Sequence, residues 1–307
     1  MSFAHDVKAE LCSIDNSLAF KKAELYGLLI FARSFREKSL ALQTEHEGVA
    51  RITALLLTEI FAVRPVIKTG KHSDGHRIQI LTLNDSGQAG KIYKEYGYNE
   101  KTLSLRINLA VIDEDDCIAA FVRGAFLSCG SIVDPGKDYH LEFVTSHLHL
   151  CRDLSYILDE QGFKPKTIRR KGSHIVYFKD SGQIEDLMTF MGASLKSLEL
   201  MNIKVYKDFR NRANRVTNCE TANIDKTVNA STDQVGAIRK LFAAYGPDYL
   251  PDELREVANL RVENPDMSLR ELGEMLPDRL SRSGVNHRLH KILALAAKLN
   301  NKNYNKL

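Results

Sequence analysis

The chain has 307 residues, 44% of them hydrophobic, and its 43 Lys and Arg against 39 Asp and Glu give a net charge of +4. That length accommodates two or more domains with cores of their own, and no apolar run approaches the roughly 20 residues that a membrane-spanning helix needs, so no membrane partner is expected. The five cysteines (Cys12, Cys117, Cys129, Cys151, Cys219) are scattered without a CxxC pair, which argues against a disulfide scaffold and for a reducing cytosol; the opening MSFAHDVKAEL shows no signal peptide.

In chain order, residues 24–35 (ELYGLLIFARSF) predict an apolar helix carrying Gly27, followed by a strand over 40–44, a helix over 49–61, strands over 65–69 and 77–83, and a further helix. A second round begins with residues 121–131 (FVRGAFLSCGS) and continues with a strand over 139–145, a helix over 151–161, strands over 165–169 and 174–178, and another helix. Gly27 and Gly124 are 97 residues apart, Leu42 maps on Leu141, Arg64-Pro65 on Lys164-Pro165, and DSGQ at 85–88 on DSGQ at 180–183, with an offset drifting between 95 and 100. A repeat of this length is a supersecondary unit that buries its apolar face against its twin. The predicted domain is therefore an α+β pseudo-twofold over residues 1–203, with repeats at about 18–100 and 114–193. Gly inside a helix costs about 1 kcal/mol against Ala, so something must offset it. Ala120, Gly124 and Ser128 fall on one stripe, as do Ala23 and Gly27, and small stripes let two helices approach closely. Gly27 and Gly124 are expected to face each other.

The segment 121–131 resembles the second signature helix of LAGLIDADG homing endonucleases. That signature has Gly at its third position, here Gly124, and an acid at its eighth, here Cys129, just before a final Gly, here Gly130. In the first copy Gly27 takes the Gly position, Ala32 the acid position and Arg33 replaces the last Gly. The resemblance implies the endonuclease fold. Because the missing acids would hold the metal that cleaves DNA, it also implies that the reaction has been lost. No catalytic residue, metal or other cofactor is assigned.

Other constellations carry less. His147, His149 and Cys151 alternate, but a zinc site wants three or four ligands with an orienting outer layer, and the matching segment of the first copy offers only His46; a structural role is favoured. The acids of residues 113–116 suit a helix start. KPKTIRRK (164–171) places five charges on a strand, which supports equally a second DNA contact and a solvated edge protected by Lys.

Residues 204–231 are rich in Asn and Thr and read as a polar connector, with a helix entered at Thr232 or Asp233; Arg210, Arg212 and Arg215 either touch phosphate or are solvated. Connector and linker helix are assigned to 204–245 and a helix-turn-helix unit to 246–307. The charge is uneven: residues 1–203 hold 25 basic and 26 acidic side chains, 204–240 eight and four, and 279–307 seven Lys or Arg and no acid. This asymmetry points to nucleic acid at the C-terminal end.

In the last unit Pro251 opens a helix with Leu254, Val257, Leu260 and Arg261 in register, and Pro265 stops it. Ser268 and Glu271 form a capping box for a second helix containing Gly273, which Pro277 ends. A third helix turns Val285, Leu289, Ile292 and Leu293 inward. It leaves Ser283, Asn286, His287, His290 and Lys291 outward. Arg282, Ser283, Asn286 and His287, at its start, have the chemistry to reach base edges in a major groove, while Arg279, Arg288, Lys291 and Lys298 suit phosphates. The DNA-contacting set is thus Arg279, Arg282, Ser283, Asn286, His287, Arg288, His290 and Lys291. The plain alternative is a three-helix bundle with a solvated basic face.

The order of two-copy domain, connector (NRVTNCETANIDKTVNAS) and C-terminal helix-turn-helix resembles the WhiA family of bacterial regulators over essentially the whole chain. The resemblance implies a sequence-specific transcriptional regulator of double-stranded DNA, tied to cell division, chromosome segregation or sporulation; a protein partner for the N-terminal domain belongs to the scaffold alternative. An active endonuclease and a protein-interaction scaffold are the alternatives.

Overall fold

The structure, a computed structural model, describes residues 2–71, 75–83, 85–113 and 117–304, with side chains as far as Lys298. It divides into two compact units, Met1–Asp208 and Phe209–Leu307.

The first unit opens with α1 (Phe3–Leu11), which no repeat contains, and then runs through two equivalent rounds. The first is α2 (Leu18–Ile30), β1 (Ser34–Arg36), β2 (Ser39–Thr44), α3 (Glu47–Phe61), β3 (Val66–Lys71), β4 (Arg77–Thr82) and α4 (Ser86–Glu95). The second is α5 (Cys117–Cys129), β5 (Gly130–Ile132), β6 (Leu141–Thr145), α6 (Leu148–Glu160), β7 (Lys166–Arg170), β8 (Ser173–Phe178) and α7 (Ser181–Met191). Each round makes one antiparallel four-stranded sheet, ordered β1-β2-β4-β3 and β5-β6-β8-β7. The six strands expected from the sequence are present. The three-residue strands β1 and β5 were not anticipated, being too short to show an alternation.

The repeated DSGQ has a local cause. Asp85 accepts from Gly87 N and caps α4, and Asp180 accepts from Gln183 N and caps α7; both satisfy backbone donors that a helix start leaves orphaned. A second shared detail corrects the alignment. His46 N donates to Thr44 Oγ1 at 3.1 Å and His147 N to Thr145 Oγ1 at 3.2 Å, so Leu40, not Leu42, is the counterpart of Leu141.

The helices α2 and α5 cross at their glycines, as expected. A Cβ on Gly27 would overlap the Phe121 carbonyl oxygen and come within 2.8 Å of the Ala125 nitrogen; one on Gly124 would overlap the Glu24 carbonyl oxygen and come within 2.9 Å of the Leu28 nitrogen. Ala23 and Ala120 flank the crossing in full burial. Beside it lies a buried ion pair. Arg123 donates to Glu24 Oε2 through Nε at 3.1 Å and Nη2 at 3.0 Å, and its Nη1 donates to Met191 O at 3.0 Å. Burial pushes the Glu24 carboxyl up, and the Arg123 guanidinium opposes this by charge and hydrogen bonding.

Helix α8 (Ser194–Tyr245) is 52 residues long and corrects the reading of residues 204–231 as a non-helical connector. The helix does not begin at Thr232 or Asp233. No Pro or Gly stands between Ala193 and Gly236 to stop it, and residues 208–230 are exposed throughout, a polar helix solvated on every side.

In the second unit Ile238 and Leu241 of α8 join Leu250, Leu254, Val257, Ala258, Leu272, Leu276, Val285, Leu289, Ile292 and Ala296 in a small core. The last three helices are α9 (Asp252–Glu263), α10 (Leu269–Met275) and α11 (Arg282–Tyr304). Arg261 is buried with the α9 face, and its Nη1 donates to Met267 O at 2.7 Å, tying the helix end to the next loop. Leu293, expected inside, is half-buried and outside this core. Its place on the inner face falls to Ala296, one turn further on.

Candidate nucleic-acid interface

Cys129 closes α5, and burial pushes its thiol up to about 12, partly countered by the Lys8 ammonium; it is a neutral thiol, without the hard oxygen that a divalent cation prefers. Ala32 packs against the core at the equivalent point after α2. Gly130 keeps its signature position for a steric reason, since a Cβ there would press on Phe126. Arg33, in the matching place, donates to Gln43 Oε1 at 2.6 Å. Of the His–Cys alternation, His147 stands at the start of α6, His149 is half-buried, and Cys151 is buried in the helix–sheet layer. His46 caps α3 by accepting from Val49 N. Of the acids expected at the start of α5, Glu114, Asp115 and Asp116 lie outside the described residues.

The second unit is built around Gly273. Leu280 N donates to Gly273 O at 2.9 Å, and a Cβ on Gly273 would overlap the Leu280 carbonyl. This contact folds the α10–α11 turn tightly. The capping box is complete: Ser268 accepts from Glu271 N, and Ser268 N donates to Glu271 Oε2 at 2.8 Å. Those hydrogen bonds hold the Glu271 carboxyl below its usual range. Ser281 starts α11 by accepting from Gly284 N at 3.2 Å, so the first turn of α11 is set by a residue the sequence reading passed over.

The structure places the sequence-derived set as follows. Arg282, Ser283, His287, His290 and Lys291 are exposed along one side of α11, and Asn286 is half-buried between them. Val285, Leu289 and Ile292 face the core, so the set is the outer face of a helix whose inner face is fixed. Arg279 is exposed in the turn with φ +30, a left-handed conformation that costs a non-glycine residue. Arg288 departs from the rest: its Nη1 donates to Glu253 O at 3.2 Å and Nη2 lies 3.6 Å from Glu253 Oε2, tying α11 to α9. In unit 1, the charged strand β7 is exposed at every position and lies at the edge of its sheet.

Two α/β rounds crossing at paired glycines, followed by a helix-turn-helix unit, define a LAGLIDADG-like protein with a C-terminal DNA-binding-type module. The family model of the WhiA LAGLIDADG-like domain matches residues 118–210, and that of the WhiA C-terminal HTH domain matches residues 213–296. The chain is 39% identical over 313 residues to the probable cell division protein WhiA of Clostridium botulinum (strain Hall), covering 97% of this chain and 99% of that one. It is also 39% identical over 312 residues to the protein of the same name from Thermoanaerobacter pseudethanolicus, at 97% and 98% coverage. It belongs to the WhiA family. The crystal structure of full-length DUF199/WhiA from Thermatoga maritima shares the fold at a TM-score of 0.55 and 22% identity, covering 97% of this chain and 99% of that one. Among the described residues no helix is long and apolar enough to cross a membrane, and no group of three His, Cys, Asp or Glu is placed to hold a metal ion.

Proposed function

We propose that this chain is a sequence-specific, double-stranded-DNA-binding transcriptional regulator that reads bases with the outer face of α11 and works in cell division, as the names of its relatives suggest, in the cytoplasm at the nucleoid. Chromosome segregation and sporulation are the neighbouring processes in which its targets are sought. One observation carries the reading. The start of α11 presents Arg282, Ser283 and His287 to solvent with Asn286 between them, while the residues from 279 onward include no acid. Arg pairs with guanine and Asn with adenine in a major groove, and a cation-rich helix supplies the salt-dependent attraction to phosphate. Arg279, His290 and Lys291 extend the same face. Arg288, held by Glu253, acts chiefly as a brace.

The N-terminal domain is proposed to have no nuclease activity, because Ala32 and the protonated thiol of Cys129 stand where metal-holding carboxylates are required. Purified full-length chain is expected to retard DNA and to leave it intact with magnesium or manganese. Genome-wide occupancy of the intact protein tests the reading: discrete peaks sharing a motif support it. Uniform occupancy, or metal-dependent cleavage abolished by replacing a carboxylate near α2 or α5, overturns it.

A further inference from the structure

Between α1 and the C-terminal end of α5 lies an open cavity of about 480 Å³ whose walls include Ser2, His5, Lys8, Glu45, Arg77 and Ser128. That volume is typical of small-ligand sites. Its polar groups are mostly donors. Lys8 Nζ donates to Leu127 O at 3.1 Å, which leaves two ammonium hydrogens. The same contact sets a cation against the negative end of the α5 dipole, so the helix terminus does not repel an anion. Ser128 Oγ and His5 Nδ1 are buried without a hydrogen-bond partner in the protein, two of four such atoms among the described residues. A buried polar group left unmatched is costly, and two in one cavity call for a common partner.

The chemistry of that partner follows from the neighbours. His46, which stacks on His5 with ring centroids 4.2 Å apart, is committed: its Nδ1 accepts from Val49 N at 3.3 Å, so Nε2 carries the hydrogen and donates to His5 O at 3.1 Å. It is a neutral ring with no lone pair for a metal. Arg77 is exposed and has no acid partner among the described residues. His76 also stands on the wall. Glu45 is the one carboxylate among the described residues that line the cavity, and Asp6 Oδ1 lies 3.7 Å from His5 Nδ1. Burial pushes the Lys8 ammonium below its usual range, and an anion beside it would favour the charged form; Lys8, Arg77 and the Ser128 hydroxyl make a donor-rich wall suited to an oxyanion rather than a cation.

We propose that this cavity is a phosphate-binding site, in which Lys8, His5, Ser128 and Arg77 hydrogen-bond the oxygens of a phosphate group. The group could be carried by a DNA backbone or by a free phosphorylated small molecule; the chemistry is shared, and the test separates the sources.

Full-length chain with 13C-labelled histidine is titrated with sodium phosphate at constant ionic strength, with chloride as the comparison. His5→Gln assigns the ring signal. Phosphate is expected to shift the His5 resonance saturably, and Arg77→Gln or Ser128→Ala to weaken that binding about tenfold or more. Arg77 is exposed, so its variant tests the site without threatening the fold. A short random duplex is then added in place of phosphate. If the duplex moves the His5 signal and Arg77→Gln weakens the duplex, the phosphate comes from DNA. If phosphate saturates the site while the duplex leaves His5 unmoved, the ligand is a free phosphorylated molecule. If phosphate acts no differently from chloride, or both variants bind it as the parent does, the proposal fails.

Discussion

The α2–α5 crossing and the α10–α11 turn are both helix junctions closed on glycine, yet they leave opposite things exposed. At the crossing Gly27 and Gly124 each admit a backbone carbonyl of the other helix, and the helices are buried nearly all round: eight of 13 residues in α2 and nine of 13 in α5. Their buried charges, Glu24 and Arg123, pair with each other. At the turn Gly273 admits the Leu280 carbonyl, but only one side of α11 is covered. A helix enclosed on every side has no face for a macromolecule. A helix pinned by one side against a small core displays the other, which is why the DNA-reading proposal rests on α11.

The sharpest way to break this comparison is to restore a side chain at the crossing. Ordinary overpacking costs about 1–3 kcal/mol, but Gly124→Val would drive methyl groups into the Glu24 backbone, which cannot rotate away. A loss of about 4 kcal/mol or more is expected, read as the first unit failing to show a cooperative thermal transition. If Gly124→Val melted within a few degrees of the parent, the two helices would not be in the contact described.

Next comes the ion pair. Arg123→Met leaves Glu24 buried without a charge partner, with only the Asn16 amide donating to its Oε2 at 3.3 Å, and breaking a buried pair costs about 3 kcal/mol or more. The pH dependence carries a sign. Burial already raises the Glu24 carboxyl, and removing Arg123 removes the charge and the hydrogen bonds that chiefly opposed that rise, leaving only the Asn16 hydrogen bond against it. The folded state then binds a proton more readily than the unfolded one, so stability is greatest below the ordinary carboxylate range and falls as pH rises through the raised folded value. Urea titrations of Arg123→Met at acid and at neutral pH should show the deficit shrinking on acidification. A deficit that stays constant with pH would mean that Glu24 finds another partner.

Much of this was legible in the sequence. The repeat, the facing glycines, the capping box and six of the strands followed from spacing and residue type. Helix α8 did not, because its middle has no apolar stripe, and periodicity is the signal by which a helix is read. Absence of a stop is weaker evidence than presence of a face. Nor could the sequence show that Arg288 is a brace: it reads as a phosphate contact, and only the approach of Glu253 from α9 reveals the pairing. The cavity beneath α1 was equally hidden, since its wall draws on α1, the start of β4 and the end of α5, segments far apart in the chain.

On the outer face of α11, Arg282→Ala and Asn286→Ala are each expected to cost about 1–3 kcal/mol on the preferred sequence and little on random DNA. Equal losses on both would reduce α11 to a phosphate contact. Arg288→Ala should instead lower the melting temperature of the second unit, with a modest effect on specificity. Because its guanidinium touches Glu253 at the protein surface, the loss is expected at about 0.2–1 kcal/mol.

The smallest effect belongs to Lys298. It is exposed on α11, about four turns beyond Arg282 at 3.6 residues per turn, where a helix lying in a groove has left the bases. Its ammonium can still neutralise one phosphate. Lys298→Ala should therefore weaken binding to the preferred and to random duplexes by similar, small amounts, and make the slope of log affinity against log salt shallower by about 1. Titrations of both duplexes at two salt concentrations measure this directly. A change confined to the preferred duplex would place the far end of α11 on bases rather than phosphates, and the assignment of base reading to its first turns would have to be withdrawn.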